Sequence, residues 1–237
     1  SWGGTSAETW TPKSGLQKLG LENDLKQATE SPQQPDKKIP TRLYNGMIHP
    51  LRNFKIRGVI WYQGESNAGR ANQYRELFST MITEWRKAFG YEFPFYFAQI
   101  APFQNEKVNT AYLREAQLQS LSLSLPRTGM AVTMDIGNRI DIHPKNKQEV
   151  GRRLALCALA KDYHQTVLYS GPIFTKIRTK TTKAYLRFNH AGRGLTTNNG
   201  LVPSHFEIAG KDKIFHPAIA SIKGNQVIVS SEKVLEP

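Results

Sequence analysis

Two short segments carry the side chains best suited to chemistry. The first is Trp61-Tyr62-Gln63-Gly64-Glu65-Ser66-Asn67; the second is Asp141-Ile142-His143-Pro144-Lys145-Asn146-Lys147. His143 suits a general base, because an unperturbed imidazole titrates near neutral pH. Asp141, two residues earlier in the same loop, is placed to hold that imidazole in the needed tautomer. Gln63 and Asn67 bring amide donors, and Gly3 or Gly4 brings an unobstructed backbone N–H before a helix start. A base, an orienting acid and donors for a developing oxyanion make up the machinery of ester hydrolysis by an activated hydroxyl. Taken singly, each group has a plainer reading as a loop histidine, a turn glycine or a strand-end amide. Glu65 reads either as an acceptor behind this machinery or as a cap on the following loop.

Ser66 offers an alternative nucleophile. Gly64-Glu65-Ser66-Asn67-Ala68 differs from the Gly-x-Ser-x-Gly elbow of α/β-hydrolases only in its final Ala. That elbow needs a helix directly after the serine, whereas the helical pattern here begins some residues later.

The elements that must position these groups follow from periodicity. Tyr74, Leu77, Phe78, Met81, Ile82, Trp85 and Phe89 form one apolar stripe at helical spacing. Ile56–Trp61, Phe93–Ile100 and Gly129–Asp135 read as strands, and Thr110–Leu123 and Lys147–Tyr163 as further helices. Strand–helix alternation from about 56 to 163 predicts a parallel sheet covered on both faces. Both chemical segments then fall at carboxyl ends of strands, where such sheets gather reactive groups. Thr5 followed by Glu8 predicts a capping box on a short first helix. The polar, proline-rich stretch 30–40 reads as a loop.

Beyond about residue 170 the pattern changes to short β-like runs at Ile173–Arg178, Ala184–Phe188, His205–Ile208, Ala218–Ile222 and Gln226–Ser230. Gly224-Asn225 marks a turn between the last two. The chain therefore reads as an α/β domain over 1–168 and an antiparallel β-rich segment over 169–237.

Composition narrows the function classes. With 32 Lys and Arg against 19 Asp and Glu, the formal charge is +13. The basic residues are scattered along the sequence and match no nucleic-acid module, so a solvated basic surface is expected and a nucleic-acid partner is not. No apolar run reaches the roughly 18 residues of a membrane span. The single cysteine, Cys157, sits in an apolar stretch and reads as a small buried hydrophobe, without partners for a metal site.

At these same residues the sequence resembles the sialate O-acetylesterase family of the SGNH hydrolases. The resemblance rests on Ser1-Trp2-Gly3-Gly4-Thr5 with Glu8 and Trp10, and on Leu43-Tyr44-Asn45-Gly46-Met47-Ile48. It continues through Gly58 to Asn67, through Asp141 to Lys147 with Gly151, and through Phe206 to Asp212. It implies a flavodoxin-like three-layer domain and hydrolysis of acetyl esters on sialic acid or plant polysaccharide sugars, without metal or cofactor. It also implies His143 as base, Asp141 or Glu65 as its orienting acid, and an oxyanion hole drawn from Gly3, Gly4, Gln63 and Asn67. A periplasmic or secreted location goes with that substrate class. The family carries its nucleophile in an upstream Gly-Gln-Ser-Asn block, so the resemblance further implies a first strand and a serine outside residues 1–237, with this chain alone inactive. A sugar-binding scaffold without catalysis, using Trp2, Trp10 and Trp61 as a stacking surface, is the competing expectation.

Overall fold

The computed structural model describes residues 2–30, 36–104, 108–121 and 125–237, without the side chains of 27–30 and 36. It divides into two units, Ser1–Tyr169 and Ser170–Pro237.

The first unit opens with three short helices, α1 (Ala7–Trp10), α2 (Lys13–Lys18) and α3 (Glu22–Glu30). Its sheet has three parallel strands in the order β1 (Val59–Tyr62), β2 (Phe95–Ala98) and β3 (Thr128–Ala131). Helix α4 (Ala71–Phe89) connects β1 to β2, α5 (Thr110–Ser120) connects β2 to β3, and α6 (Lys147–Lys161) follows β3. All four residues of β2 are buried, as a central parallel strand covered on both faces requires. Phe95 and Phe97 join the cluster of α4 and α5, while Tyr96 and Ala98 meet Val150, Leu154 and Cys157 of α6. The result is the expected three-layer arrangement. Among the described residues β1 has a strand partner only on its β2 side.

The apolar stripe of α4 supplies most of the first core. Tyr74, Leu77, Phe78, Met81 and Ile82 have no exposed surface, and such burial is worth roughly 1.5–3 kcal/mol per side chain. Phe78 meets Phe97 edge-on at 4.9 Å. Gly90 ends the helix in the left-handed region at φ 78°, its N–H returning to the carbonyls of Arg86 and Lys87. Trp61 lies between Trp10 and Trp85, both edge-on, at 5.6 and 5.7 Å. Trp10 is thus core and Trp61 half-buried against it, leaving Trp2 as the exposed member of the expected stacking trio. That surface is not formed. Cys157 is buried, and burial pushes its thiol pKa up.

The second unit is one antiparallel sheet in the order β4 (Ile173–Lys180), β5 (Lys183–Asn189), β8 (Gln226–Ser230), β7 (His216–Lys223) and β6 (Phe206–Ile208). Ala184, Ala220, Val227 and Val229 on one face pack with Ile208 and Val234.

Some local expectations fail. The capping box is absent: Ser6 holds the cap position of α1 without a side-chain bond. Thr5 Oγ1 instead donates to the Trp2 carbonyl and accepts from the Trp10 ring. Glu8 turns away from the helix terminus toward residues some sixty positions on. Within the expected loop at 30–40, residues 31–35 lie outside the described set, and Asp36–Lys38 form a single 3-10 turn.

Candidate active site

The exit of β1 is a tight turn made possible by Gly64. A Cβ there would stand 2.7 Å from Ile100 Cγ2 and 2.9 Å from Leu113 Cδ2. The chain then runs through a 3-10 segment, Glu65–Arg70, that leads into α4. Below the turn, Gln117 of α5 is fully buried; it accepts from Ile100 N and donates to the Gln63 carbonyl.

Two distant stretches meet at this turn. Asn67, 1% exposed, accepts from Ala7 N at 2.9 Å and donates to Glu8 Oε2 at 2.9 Å. Gln63 donates to the Thr5 carbonyl at 3.0 Å and to Asn67 Oδ1 at 2.8 Å. Its own Oε1 accepts from the Tyr74 hydroxyl. Both amide hydrogens of Gln63 therefore have protein partners, which brace the turn against Thr5 and Asn67. Asn67 differs, since one Nδ2 hydrogen goes to Glu8 and the second has no partner among the described residues. The Gly3 and Gly4 N–H groups are engaged in no hydrogen bond among the described residues, and Gly4 takes φ 68°. The structure thus brings Thr5 and Ala7, which follow the Gly3–Gly4 turn, against Gln63 and Asn67.

Glu8, expected as the capping-box partner of Thr5, serves this turn instead. Its carboxylate is 2% exposed and accepts from Asn67, from Arg70 at 2.8 Å and from Gln73 at 3.4 Å. A glutamate in the first turn of a four-residue helix gives no sequence signal for such partners.

His143 stands on the loop between β3 and α6. Asn146 caps α6 by accepting from Glu149 N at 3.1 Å. Arg153 ties the other end, donating to the Val132 carbonyl and, with two nitrogens, to the Asp135 carboxylate, each at 2.6 Å. It also meets Glu149 at 2.8 Å. Arg152 and then Arg153 hold the Glu149 carboxyl at about 2, well below the usual range. Arg153 likewise holds Asp135 below its ordinary value.

Within the loop, Asp141 Oδ1 accepts the His143 backbone N–H at 2.9 Å and lies 4.0 Å from ring Nδ1. The imidazole is 88% exposed. Glu65 carries a raised pKa because burial outweighs its backbone N–H bonds and the nearby charges of His143 and Lys147. Glu65 follows β1, and His143 and Lys147 follow β3 in the chain. Lys147 Nζ also lies 5.0 Å over the Tyr62 ring, whose hydroxyl is pushed up to about 12 by burial and the Glu65 charge.

The serine-elbow geometry is not formed at Ser66. That residue is exposed within the 3-10 segment, α4 begins only at Ala71, and no hydrogen bond joins it to an imidazole among the described residues. No group of His, Cys, Asp and Glu able to hold a metal ion occurs among the described residues.

The family profile of carbohydrate esterases described as sialic acid-specific acetylesterases matches residues 1–160. The chain is 30% identical over 235 residues to the sialate O-acetylesterase of Mus musculus, covering 80% of this chain and 43% of that protein. It is 33% identical over 211 residues to the Homo sapiens sialate O-acetylesterase, covering 80% of this chain and 40% of that one. The solved structure of a carbohydrate acetylesterase from Xanthomonas citri superposes with a TM-score of 0.85 at 43% identity, covering all of this chain and 53% of that one. The chain thus spans less than half the length of the curated relatives it matches. On the strength of that profile match and those identities, this chain belongs to the carbohydrate esterase family of sialic acid-specific acetylesterases.

Proposed function

We propose that this chain carries the base and the oxyanion donors of a carbohydrate O-acetylesterase. The observation that carries the reading is that the stretch directly after the Gly3–Gly4 turn is bonded to Gln63 and Asn67 through Thr5 and Ala7 at the exit of β1. Family membership and the relatives named above supply the reaction class.

In this mechanism a serine hydroxyl from polypeptide outside residues 1–237 attacks the acetyl carbonyl carbon. The His143 imidazole takes its proton. The oxyanion of the tetrahedral intermediate accepts hydrogen bonds from the Gly3 or Gly4 N–H and the remaining Asn67 Nδ2 hydrogen. Collapse breaks the ester C–O bond, and His143 returns the proton to the departing sugar hydroxyl. Water then attacks the acyl-serine by the same route and releases acetate.

Asp141 is assigned as the orienting acid, because it is the carboxylate nearest to Nδ1 and already fixes the His143 backbone. Catalytic hydrogen bonds are often long in ligand-free enzymes and tighten around the substrate. Glu65 lies behind the site. The substrate class is an acetylated sugar such as an O-acetyl sialic acid, and the site of action is the periplasm or the extracellular space.

The test is hydrolysis of an aryl acetate and of O-acetyl sialic acid by the longer polypeptide that carries both serine and histidine. His143→Ala should lower kcat by about two to four orders of magnitude. Activity surviving within a few-fold removes His143 from the base role.

A further inference from the structure

The register of the second sheet gathers basic residues that are scattered in sequence. Lys176 pairs with Arg187, Arg178 with Tyr185 and Lys180 with Lys183, so these side chains share one face. The pairing continues to Gln226, Ile228 and Ser230 on β8 and to Lys223, Ser221 and Ile219 on β7. The opposite face holds Ala184, Val227, Val229 and Ala220, the apolar core of this unit. The outward face therefore carries Lys176, Arg178, Lys180, Lys183, Arg187 and Lys223, all exposed. Among the described residues no ion pair joins any of them to a carboxylate. The one strand carboxylate on that face is Glu207 on β6, at the far edge from β4.

We propose that this face binds an extended glycan bearing carboxylates. Along β4 the cations recur every second residue, about 6.8 Å apart, and the next strand, about 4.8 Å away, sets Arg187 beside Lys176 and Lys183 beside Lys180, with Tyr185 beside Arg178. Such an array fits a chain with charges at intervals and gives a carboxylate at either end row two neighbouring cations. Arg178 and Arg187 add the fork geometry that favours carboxylates. Sheet surfaces that hold single-stranded nucleic acid depend on aromatic platforms for base stacking. Here the outward face offers a single half-buried aromatic, Tyr185. Charge without stacking favours the acidic sugar chain over the nucleic acid. Only that choice of sugar leans on the esterase reading; the binding itself needs no ester chemistry.

The experiment is calorimetric titration of the whole 237-residue chain with unacetylated α2,8-linked polysialic acid, with neutral dextran and with a charge-matched single-stranded DNA, at 50 and 500 mM NaCl. Polysialic acid should bind at low salt, weaken at least tenfold at high salt, and exceed the DNA, while dextran shows no heat of binding. Lys176→Glu/Arg178→Glu/Lys183→Glu should reduce the affinity at least tenfold, with its circular dichroism unchanged. Lys176→Gln/Lys183→Gln, which only removes charge, should fall between, and Lys13→Glu/Lys55→Glu in the first unit should match the parent chain. Binding that ignores the sheet variants, that dextran reproduces, or that DNA equals or exceeds overturns the proposal. Acetate release has no part in this readout, so failure of the esterase reading would be seen separately in the aryl acetate assay.

Discussion

Asn67 and Glu8, 59 positions apart in sequence, are joined side chain to side chain by a 2.9 Å hydrogen bond in a nearly solvent-free setting. The bond fixes the Asn67 amide so that its oxygen faces the Ala7 N–H and its nitrogen faces Glu8. A side-chain amide can rotate in the absence of such partners, and a donor aimed at an oxyanion works only while its direction is held.

Replacing Glu8 should therefore act on chemistry as well as on folding. Glu8→Ala leaves the Asn67 nitrogen without its acceptor and is expected to cost about 1–3 kcal/mol. Glu8→Gln keeps the shape and one acceptor oxygen but gives up the charge opposite Arg70. If the proposed upstream serine completes the esterase, Glu8→Gln should lower kcat there while KM stays nearly constant. Urea unfolding of this chain and steady-state kinetics of the serine-bearing polypeptide check the two halves.

Gly64→Ala places a methyl into contact with Ile100 and Leu113 at distances carbon atoms do not tolerate. Overpacking of this kind costs about 1–3 kcal/mol. The expected result is a lower urea midpoint with an unchanged slope, and a further loss if Val is introduced in place of Ala.

Asp141→Asn and Glu65→Gln should separate the two candidate acids. Asp141→Asn keeps an oxygen for the His143 N–H but removes the carboxylate beside Nδ1. Loss of an orienting carboxylate in a triad drops kcat by about 10⁴. Glu65→Gln is expected to cost about tenfold or less, as a group acting at a distance through the field. Equal losses, measured as kcat at the pH optimum, would reassign the orienting role.

Glu65 also makes stability depend on pH. Burial holds its folded pKa above 4.5, so between that value and the raised one the folded state binds more protons than the unfolded chain. Its contribution is thus present below pH 4.5 and is lost as pH rises through the folded pKa. Thermal melts of Glu65→Gln against the parent chain should coincide below pH 4.5. Near pH 7 the variant should melt higher.

The layers were legible because burial patterns are local. The stripe from Tyr74 to Phe89 predicts α4, and Gln226–Ser230 predicts β8 with its bounds intact. Expected strands came out shorter: Ile56–Trp61 became Val59–Tyr62, starting three residues later and ending one later, and Phe93–Ile100 became Phe95–Ala98, since pairing stops where the partner strand does. Polar partnerships were not legible. That Gln63 braces Thr5 and Tyr74, or that Glu8 serves Asn67, depends on which loops the sheet brings side by side, and a glutamine or glutamate presents the same letters in either role. The basic face of the second sheet was hidden for a related reason, because strand register converts spaced lysines into neighbours.

Arg153 has a consequence for how this architecture can vary. One guanidinium grips the exit of β3 through Val132 and Asp135, while Asn146 secures the helix at the far end. Between these two moorings the loop is pinned again: Asn138 bridges to Asp141, Arg139 donates to Gln104, and a Cβ on Gly137 would stand 2.3 Å from Pro102 Cδ. A side chain added at position 137 would therefore push on Pro102 and carry Asp141 and His143 with it, while the exit of β3 stays held by Arg153.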